Sequence, residues 1–375
     1  MKNQPSKSVD SILLILIGIL VVSGFFIFSS ASLGLLARDG ASFGSVAFGQ
    51  LFFGIIGGGL AMLVTSHIYY RNWRQYAFYI FIATLILTLA VFVPGLGMSH
   101  GGATRWLDLG FTTVQPSEFL KIGFVIYVAT LLSGLHRQID TWRFGVLPFL
   151  GVLGVTGLVM LSLPDTDTFF VMALAGVAMF ITAGAKWKHI FILGLVGLIM
   201  VAIIVAIRPY ILDRVLVFMN PDSDPLGSGY QIQQSLIAIG TGGLFGQGYG
   251  QSIQKFEYLP EPIGDSIFAV YAEEFGFLGS LILIMVLAFF TFRGFKIATE
   301  ATDLFGMLLV VGFMTLIVSQ AFLNIAAMTG IFPLSGLPLP FISHGGTSLL
   351  ATLATLGIVL NVSKYRNHER TNVIK

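Results

Sequence analysis

The fold is decided by apolar runs such as SILLILIGILVVSGFFIFSSASLGLL at residues 11–36, which contain no charged side chain. Such a run can cross the hydrocarbon core of a bilayer, because a spanning helix needs about 20 apolar residues. The whole chain contains ten candidate spans, at about 11–36, 46–66, 76–93, 115–134, 144–163, 168–185, 189–207, 266–292, 304–327 and 346–363. This pattern predicts an all-α polytopic membrane protein with about ten transmembrane helices.

The composition of the chain agrees with these runs. Of 375 residues, 55% are apolar and only 10% are charged, and the mean hydropathy is +0.89, whereas soluble domains carry about 25% charged residues. The apolar runs are continuous instead of alternating, which excludes a β-barrel. The net charge of +2 predicts no nucleic-acid partner. Because the chain has no cysteine, thiolate catalysis and disulfides are excluded.

Basic residues are distributed unevenly between the two sets of connections. With ten spans both termini lie on the same side, and most of the 20 Lys and Arg residues fall on that side. The positive-inside rule therefore predicts that both termini are cytoplasmic. Residues 1–375 then form a single transmembrane domain. Its large extracytoplasmic loop, residues 208–265, connects helices 7 and 8, and the loops 94–117 and 328–346 lie on the same outer side.

Charged residues in and beside the spans need an explanation, because lipid tolerates them poorly. Glu118 and Lys121 open the fourth span on one helix face, either as a self-neutralising pair or with Lys121 able to bind an anion. Asp265 precedes the eighth span, where a helix N-cap would account for it. Glu273 and Glu274 lie about two turns further in, and this vicinal pair predicts partners, a metal or protonation.

Three further features have a local explanation, and two of them also admit a second interpretation. Asp165 and Asp167 fit a turn between two spans, or ligands of a hard cation. Arg105 and Trp106 fit an interfacial belt with a snorkelling arginine. Residues 338–348, PLPFISHGGTS, fit either a plain helix entry or a shaped backbone whose amides bind an anion.

Taken in order, these motifs resemble the signatures of the SEDS family, the group of FtsW, RodA and SpoVE. The matching residues extend over nearly the whole chain: Gly102-Ala103-Thr104-Arg105-Trp106, Gln115-Pro116-Ser117-Glu118 with Lys121, Gly229-Tyr230-Gln231 to Gln234-Ser235, Gly242-Gly243, Gly246-Gln247-Gly248-Tyr249-Gly250, Gln254-Lys255-Phe256-Glu257-Tyr258-Leu259-Pro260-Glu261, Asp265-Ser266-Ile267-Phe268-Ala269, Glu273-Glu274-Phe275-Gly276, and 338–348 with Gln320 and Asn324 upstream.

The resemblance implies a ten-helix peptidoglycan glycosyltransferase. Such a protein polymerises lipid II, an undecaprenyl diphosphate-linked precursor, on the outer face of the bacterial cytoplasmic membrane, for cell division or cell shape. The implied partners are a class B penicillin-binding protein, other divisome or elongasome proteins and membrane lipid. By position, Asp265 matches the aspartate regarded as catalytic, Trp106 the tryptophan essential with it, and Glu118 and Lys121 the buried pair of the fourth helix. Residues 254–258 resemble FtsW more than RodA, which favours septal synthesis.

The chain departs from the family pattern near the implied site. The family's Pro-Asp-Leu-Gly-Thr motif is Pro164-Asp165-Thr166-Asp167-Thr168 here, Gly264 and Ser266 stand where the family has Thr and Phe, and His344 and Thr347 stand in place of Tyr and Ser. These changes leave open an activity-impaired or specialised paralogue.

An inverting transfer of this kind needs a base for the acceptor hydroxyl and cations for the leaving diphosphate. We expect Asp265 to be the base. The candidate substrate-binding residues are Arg105, Arg214, Lys255, Gln231, Ser343, Gly345 and Gly346. Mg²⁺ or Mn²⁺ is a candidate cofactor, with Glu261, Asp265, Glu273 and Glu274 as candidate ligands. Two other functions stay open, a lipid II flippase or transporter and a non-catalytic scaffold that activates a penicillin-binding protein.

Overall fold

The computed structural model describes residues 8–366 except 39, 101–102, 109, 111–112, 208, 221–223 and 225–226. Both chain ends and Gly102 of the first motif therefore lie outside the described residues. Within the described part, each of the ten predicted spans is a helix. Nine helices are long and apolar enough to cross a membrane, and the tenth, Thr166–Thr182, is shorter. The prediction of a polytopic helical membrane protein is confirmed.

The helices follow one another in this order: α1 (Ser11–Arg38), α2 (Gly40–Phe48), α3 (Gly58–His67), α4 (Asn72–Leu89), α5 (Pro116–Gly134), α6 (Leu147–Ser162), α7 (Thr166–Thr182), α8 (Trp187–Ile207), α9 (Pro209–Met219), α10 (Ser228–Thr241), α11 (Gln254–Glu257), α12 (Ile267–Thr299), α13 (Leu304–Met328) and α14 (Gly346–Ser363). A π-helical stretch, Gly49–Gly57, joins α2 to α3 in one span, and another, Trp142–Val146, leads into α6. Short 3₁₀ turns occupy Ala90–Phe92 and His136–Gln138.

The connections between spans fall at two ends of the bundle. We call the end that carries residues 93–115, 163–165, 209–266 and 329–345 the upper end. The lower end carries residues 68–71, 135–141, 183–186, 300–303 and 364–366. The helices α13 and α14 are the most deeply buried spans, whereas α8 lies at the periphery.

A buried ion cluster joins three spans at the lower end. Asp10, whose side chain is fully buried, binds Arg293 of α12 and Arg366 just beyond α14, each at 2.5 Å. Arg366 also reaches Glu300 at 3.3 Å. Because breaking such a buried pair leaves an uncompensated charge, this cluster holds the start of α1 together with the ends of α12 and α14.

The predicted loop 94–117 contains a small sheet that adds a β element to the helical fold. Its strands β1 (Gly97–His100), β2 (Ala103–Asp108) and β3 (Thr113–Val114) pair antiparallel in the order β1-β2-β3. Leu107 of β2 is buried against Val159 and Leu163 at the top of α6. The sheet is therefore packed onto the upper end of the bundle.

The eighth span is broken, whereas the sequence predicts one continuous helix over 266–292. Inside α12, Gly276 has φ +64° and ψ −164°, a conformation open to glycine and unsuited to a helix. The loop 243–248 crosses at this break, where the amides of Gln247 and Gly248 donate to the carbonyls of Glu273 and Glu274 at 3.0 Å each. The loop thus satisfies the backbone groups that the break releases, as apolar surroundings require.

The described part of the long connection 208–265 contains α9, α10 and α11. Ile232, Ala238 and Leu259 are almost fully buried and belong to the main hydrophobic core. The segments around these three residues therefore pack on the bundle at the upper end.

Candidate active site

Asp265 lies half-buried at the upper end, directly before Ser266, the N-cap residue of α12. Gln231 of α10 donates through Nε2 to Asp265 Oδ1 at 3.1 Å and to Ser266 Oγ at 3.0 Å. The expected N-cap is wrong, because Ser266 occupies that position and no side chain caps α12. The carboxylate of Asp265 is therefore turned towards α10 instead of the amides of its own helix.

The surroundings of Asp265 change its acidity. The pKa of the Asp265 carboxyl is raised from 3.8 to about 6, mainly by burial, which outweighs the lowering by the hydrogen bond from Gln231 and is helped by the negative charge of Glu261. The positive charge of Arg214 opposes this rise in pKa. A general base works best when its pKa lies near the working pH. Asp265 can therefore accept a proton from a hydroxyl group near neutral pH.

Asn324 of α13 holds the backbone at Asp265. Its Nδ2 donates to the carbonyl oxygen of Asp265 and to that of Leu337, both at 2.7 Å. One amide group thus joins the segment before α12 to the loop before α14. Because Asn324 is 1% exposed, water cannot replace these bonds without rearrangement.

Two residues of the last loop hold the backbone just before Asp265. Ser343 Oγ donates to the carbonyl of Gly264 at 2.6 Å and accepts from the amide of Leu339 at 2.8 Å. The amide of His344 donates to the carbonyl of Ile263 at 2.7 Å. The hydroxyl of Ser343, expected to bind substrate, is thus committed to the protein, and burial lowers the pKa of His344, which favours its neutral form.

Glu118 and Lys121 form the self-neutralising pair, which is the first of the two interpretations. Lys121 Nζ lies 2.8 Å from Glu118 Oε2 and 3.1 Å from Gln320 Oε1 of α13. Gln320 Nε2 in turn donates to the carbonyl of Pro338 at 2.9 Å. A cavity of about 20 Å³ adjoins these side chains and is lined also by Thr355, which is room for about one water molecule. The pair therefore supports the last loop from inside the bundle.

Arg105 ties the small sheet to the turn between α6 and α7. It is the extra residue of a β-bulge in β2, and bulges re-aim the side chain they carry. Its guanidinium donates to the carbonyls of Leu163, at 3.4 Å, and Pro164, and lies 4.0 Å from Asp165 Oδ1. Trp106 is the next residue of β2, and no hydrogen bond or ring contact within the described residues joins it to Asp265.

Arg214 of α9 binds Asp167 at the start of α7, and the distance from Arg214 Nη1 to Asp167 Oδ2 is 2.9 Å. Asp165 and Asp167 therefore each face an arginine, which favours the turn over the cation-binding interpretation. The positive charge of Arg214 also lowers the pKa of Asp265 slightly.

The structure contradicts the expectation that Lys255 binds the diphosphate. Lys255 is fully buried, and its Nζ lies 2.6 Å from Glu274 Oε1 and 3.1 Å from Ser30 Oγ of α1. Ser30 Oγ also donates to both carboxylate oxygens of Glu274. The charge of Lys255 is neutralised inside the protein, so it is not available to an anionic ligand at the surface.

Glu273 and Glu274 have protein partners. Ser252 Oγ donates to Glu273 at 2.5 Å and the amide of Ile253 donates to it at 3.1 Å. Among the described residues, no group of three or more His, Asp or Glu side chains could hold a metal ion. The four candidate ligands Glu261, Asp265, Glu273 and Glu274 therefore do not gather into one such group.

The turn at Gly345 and Gly346 is occupied by the protein itself. The amide of Gly345 donates to Gln50 Oε1 at 3.0 Å. A Cβ on Gly346 would lie 2.5 Å from the carbonyl oxygen of Gly49, so the two backbones pack directly together. The expected anion-binding role of these two glycines is wrong for Gly345, whose N–H is already bound.

Sequence reasoning missed Gln50, Ser30 and Ser252. Gln50 is the single amide side chain in the run 46–66, and a buried amide in such a run must find hydrogen-bond partners. That signal could have marked it, whereas Ser30 carries none, because a serine in a span can bond its own helix. Ser252 lies in the connection 208–265, where a serine is equally unremarkable.

Comparison with known proteins places this arrangement in a wider context. The family model of the FtsW, RodA and SpoVE proteins, described as cell cycle proteins, matches residues 10–368. Stage V sporulation protein E of Bacillus subtilis is 40% identical over 318 residues, 85% of this chain and 86% of the relative. A protein of Geobacter sp. strain M18, named a probable peptidoglycan glycosyltransferase FtsW, is 37% identical over 357 residues, 94% of this chain and 96% of the relative.

Solved structures show the same fold. A chain of a peptidoglycan synthase complex, solved to show how polymerisation and crosslinking are coordinated, superposes with a TM-score of 0.77 at 27% identity. The match covers 96% of this chain and 99% of that one. The shared fold therefore extends over nearly the whole chain.

Proposed function

The chain belongs to the FtsW, RodA and SpoVE family of cell cycle proteins, and from this premise we propose that it is a peptidoglycan glycosyltransferase that polymerises lipid II. The observation that carries the proposal is the carboxylate of Asp265, whose pKa burial raises to about 6. The other supports are the names of the curated relatives and the fold shared with the synthase complex.

The proposed reaction is a direct displacement with inversion. The hydroxyl oxygen of the acceptor sugar attacks the anomeric carbon of the lipid-linked donor, and the bond from that carbon to the diphosphate oxygen breaks. The electron pair of this bond leaves with undecaprenyl diphosphate, and Asp265 takes the hydroxyl proton. A base of this kind contributes about 10²–10⁴-fold to the rate.

We assign the remaining residues to supporting roles. Arg214 is the cation that the leaving diphosphate meets, and Gln231 orients the carboxylate of Asp265 through the 3.1 Å hydrogen bond. Glu118 and Lys121 act through Gln320 on the last loop. Trp106 contacts the sugars from the small sheet. Arg105 positions that sheet, since its guanidinium is bound to the turn before α7.

We further propose that the upper end faces the outside of the cytoplasmic membrane and that a class B penicillin-binding protein crosslinks the product. The basic residues Arg71, Arg293 and Arg366 lie at the lower end, as the positive-inside rule requires of a cytoplasmic face. The sequence of residues 254–258, which resembles FtsW more than RodA, favours a septal role.

A polymerisation assay tests the proposal. The full-length chain is purified with a class B penicillin-binding protein of the same organism whose crosslinking serine has been replaced, and is supplied with lipid II in detergent. We expect glycan strands from the native chain and none from Asp265→Asn. The matched control is Asp213→Asn, an exposed aspartate of α9, which should polymerise normally.

Each other outcome contradicts the proposal. Normal strands from Asp265→Asn would remove Asp265 as the base. If the folded native complex makes no strands, the scaffold function is favoured. If it moves lipid II across the membrane of vesicles without forming polymer, the flippase function is favoured.

A further inference from the structure

Gln50 carries a buried side-chain amide whose oxygen and nitrogen both bind the last loop. Its side chain is 2% exposed, and it lies in the π-helical stretch Gly49–Gly57 of the second span. Gln50 Oε1 accepts from the amide of Gly345 at 3.0 Å, and its Nε2 donates to the carbonyl of Ser343 at 3.4 Å. One side chain thus bridges the two peptide groups on either side of His344.

The local backbone explains why a glutamine can reach this turn. A π-helical turn contains one more residue than an α-helical turn and changes the direction of the side chains around it, and such turns are frequent at functional sites. The carbonyl of Gly49 packs directly on Gly346, so the second span touches the start of α14. Gly345 has φ +155° and ψ 77°, a conformation that L side chains rarely adopt.

The bridged turn is also the part of the last loop that holds the backbone before Asp265. Ser343 Oγ donates to the carbonyl of Gly264 at 2.6 Å, and the amide of His344 donates to the carbonyl of Ile263 at 2.7 Å. Gln50 therefore binds Ser343, which holds Gly264, and Gly345, which directly follows His344, the residue that holds Ile263. A displacement of this turn moves the backbone that carries Asp265.

We propose that Gln50 is a positioning residue for Asp265, which fixes the turn 343–345 and through it the backbone of residues 263–265. The proposal rests on the proposed glycosyltransferase function for its kinetic consequence, whereas its structural consequence does not depend on that function. Gln50 itself does not touch the reacting atoms.

The same protein contains a matched control at its lower end. Asn361 of α14 is 1% exposed, donates through Nδ2 to the carbonyl of Ser66 at 2.7 Å and accepts from the amide of Tyr70 at 2.8 Å. It therefore bridges the second span and α14 with the same two hydrogen bonds as Gln50, but far from Asp265. A merely structural role predicts that both amides behave alike.

The test compares Gln50→Met, which keeps the length of the side chain and removes both hydrogen bonds, with Asn361→Leu. Both full-length variants are studied in lipid nanodiscs by lipid II polymerisation and by hydrogen exchange. We expect Gln50→Met to lower kcat about 10- to 100-fold at unchanged KM, because small misplacements of catalytic groups cost rates of this order. Asn361→Leu should keep kcat per folded molecule.

Hydrogen exchange separates this inference from the proposed function. We expect the amides of residues 263–266 to exchange faster in Gln50→Met and at the native rate in Asn361→Leu. Unchanged exchange in 263–266, or equal losses of kcat in both variants, would overturn the positioning role. If the native chain makes no polymer, the proposed function fails, and exchange alone decides the role of Gln50. Should Gln50→Met not fold, Gln50→Asn, which is one methylene too short for Gly345, replaces it in the same measurements.

Discussion

At the scale of single residues, Asp265 shows how burial changes the chemistry of a common side chain. The acidic side chains Glu261 and Asp213 lie in the same connection and are exposed, whereas Asp265 is partly enclosed by α10 and the last loop. Burial raises the pKa of Asp265 to about 6. Its basicity is therefore a property of its position.

This pKa makes the rate of polymerisation dependent on pH. We expect the rate to fall as the pH drops through about 6, because protonated Asp265 cannot accept the hydroxyl proton. The measurement is kcat of the native complex against pH, with Asp213→Asn as the control that keeps the same profile. A rate that stays constant down to about pH 5 would contradict the role of Asp265 as the base.

At the scale of elements, Lys255 and Glu274 join α11 to α12, with Ser30 of α1 as the third member. The side chains of this pair are almost completely buried, and Lys255 Nζ lies 2.6 Å from Glu274 Oε1. The backbone of α11 also packs closely on α1, since a Cβ on Gly34 would collide with the carbonyl of Lys255. This cluster fixes the long upper connection on the bundle.

We expect the variants Lys255→Met and Glu274→Leu each to destabilise the protein by about 3–5 kcal/mol, because each leaves one buried charge without its partner. The double variant should recover much of that loss. Thermal unfolding of the four proteins in detergent measures the coupling. If Lys255→Met instead unfolds like the native chain and raises only the KM for lipid II, Lys255 binds substrate after all.

The break in α12 depends on a single glycine. Gly276 has φ +64°, and a Cβ there would collide with the amide nitrogen of Gly246 in the crossing loop. We expect Gly276→Ala to lower the free energy of unfolding by about 1–3 kcal/mol, the usual cost of such a backbone conformation.

The control for this change is Gly18→Ala in α1, where a Cβ would meet nothing within 4 Å. It should be neutral or slightly stabilising, since alanine favours helix. Equal melting temperatures for Gly276→Ala and Gly18→Ala would show that the break is not a fixed feature of α12.

At the scale of the whole molecule, the two ends of the bundle have different characters. The lower end is held by Asp10, Arg293, Arg366 and Glu300, whereas the upper end combines Asp265 with three short helices and a sheet. The proposed active site therefore lies at one end of the bundle, and the buried ion cluster lies at the other.

The orientation of this molecule is testable by labelling, because the chain contains no cysteine. We expect a membrane-impermeant maleimide added to intact cells to label Tyr258→Cys at the upper end. Lys186→Cys at the lower end should react only after the cells are opened, and both parent side chains are exposed. The reverse pattern would place Asp265 on the cytoplasmic side and exclude polymerisation of an externally presented precursor.

The correct and incorrect expectations differ in how far apart the interacting residues lie. The ten spans and the pair Glu118–Lys121, which is separated by three positions, follow from local pattern. The expectation for Lys255 was wrong because its local sequence gives no sign of its two partners, Glu274 and Ser30. Of these, Ser30 lies 225 positions away in the chain.

The amino-acid sequence by itself determined that the chain spans a membrane about ten times, and its resemblance to the SEDS family singled out the carboxylate of Asp265. The spans follow from the lengths of the apolar runs, which need no knowledge of distant contacts. Only the tertiary structure decided that Lys255 is neutralised, that α12 breaks at Gly276, and that Gln50 binds Gly345 across 295 positions. These features arise where separate helices meet, because a buried polar group must find its partner wherever the packing brings one.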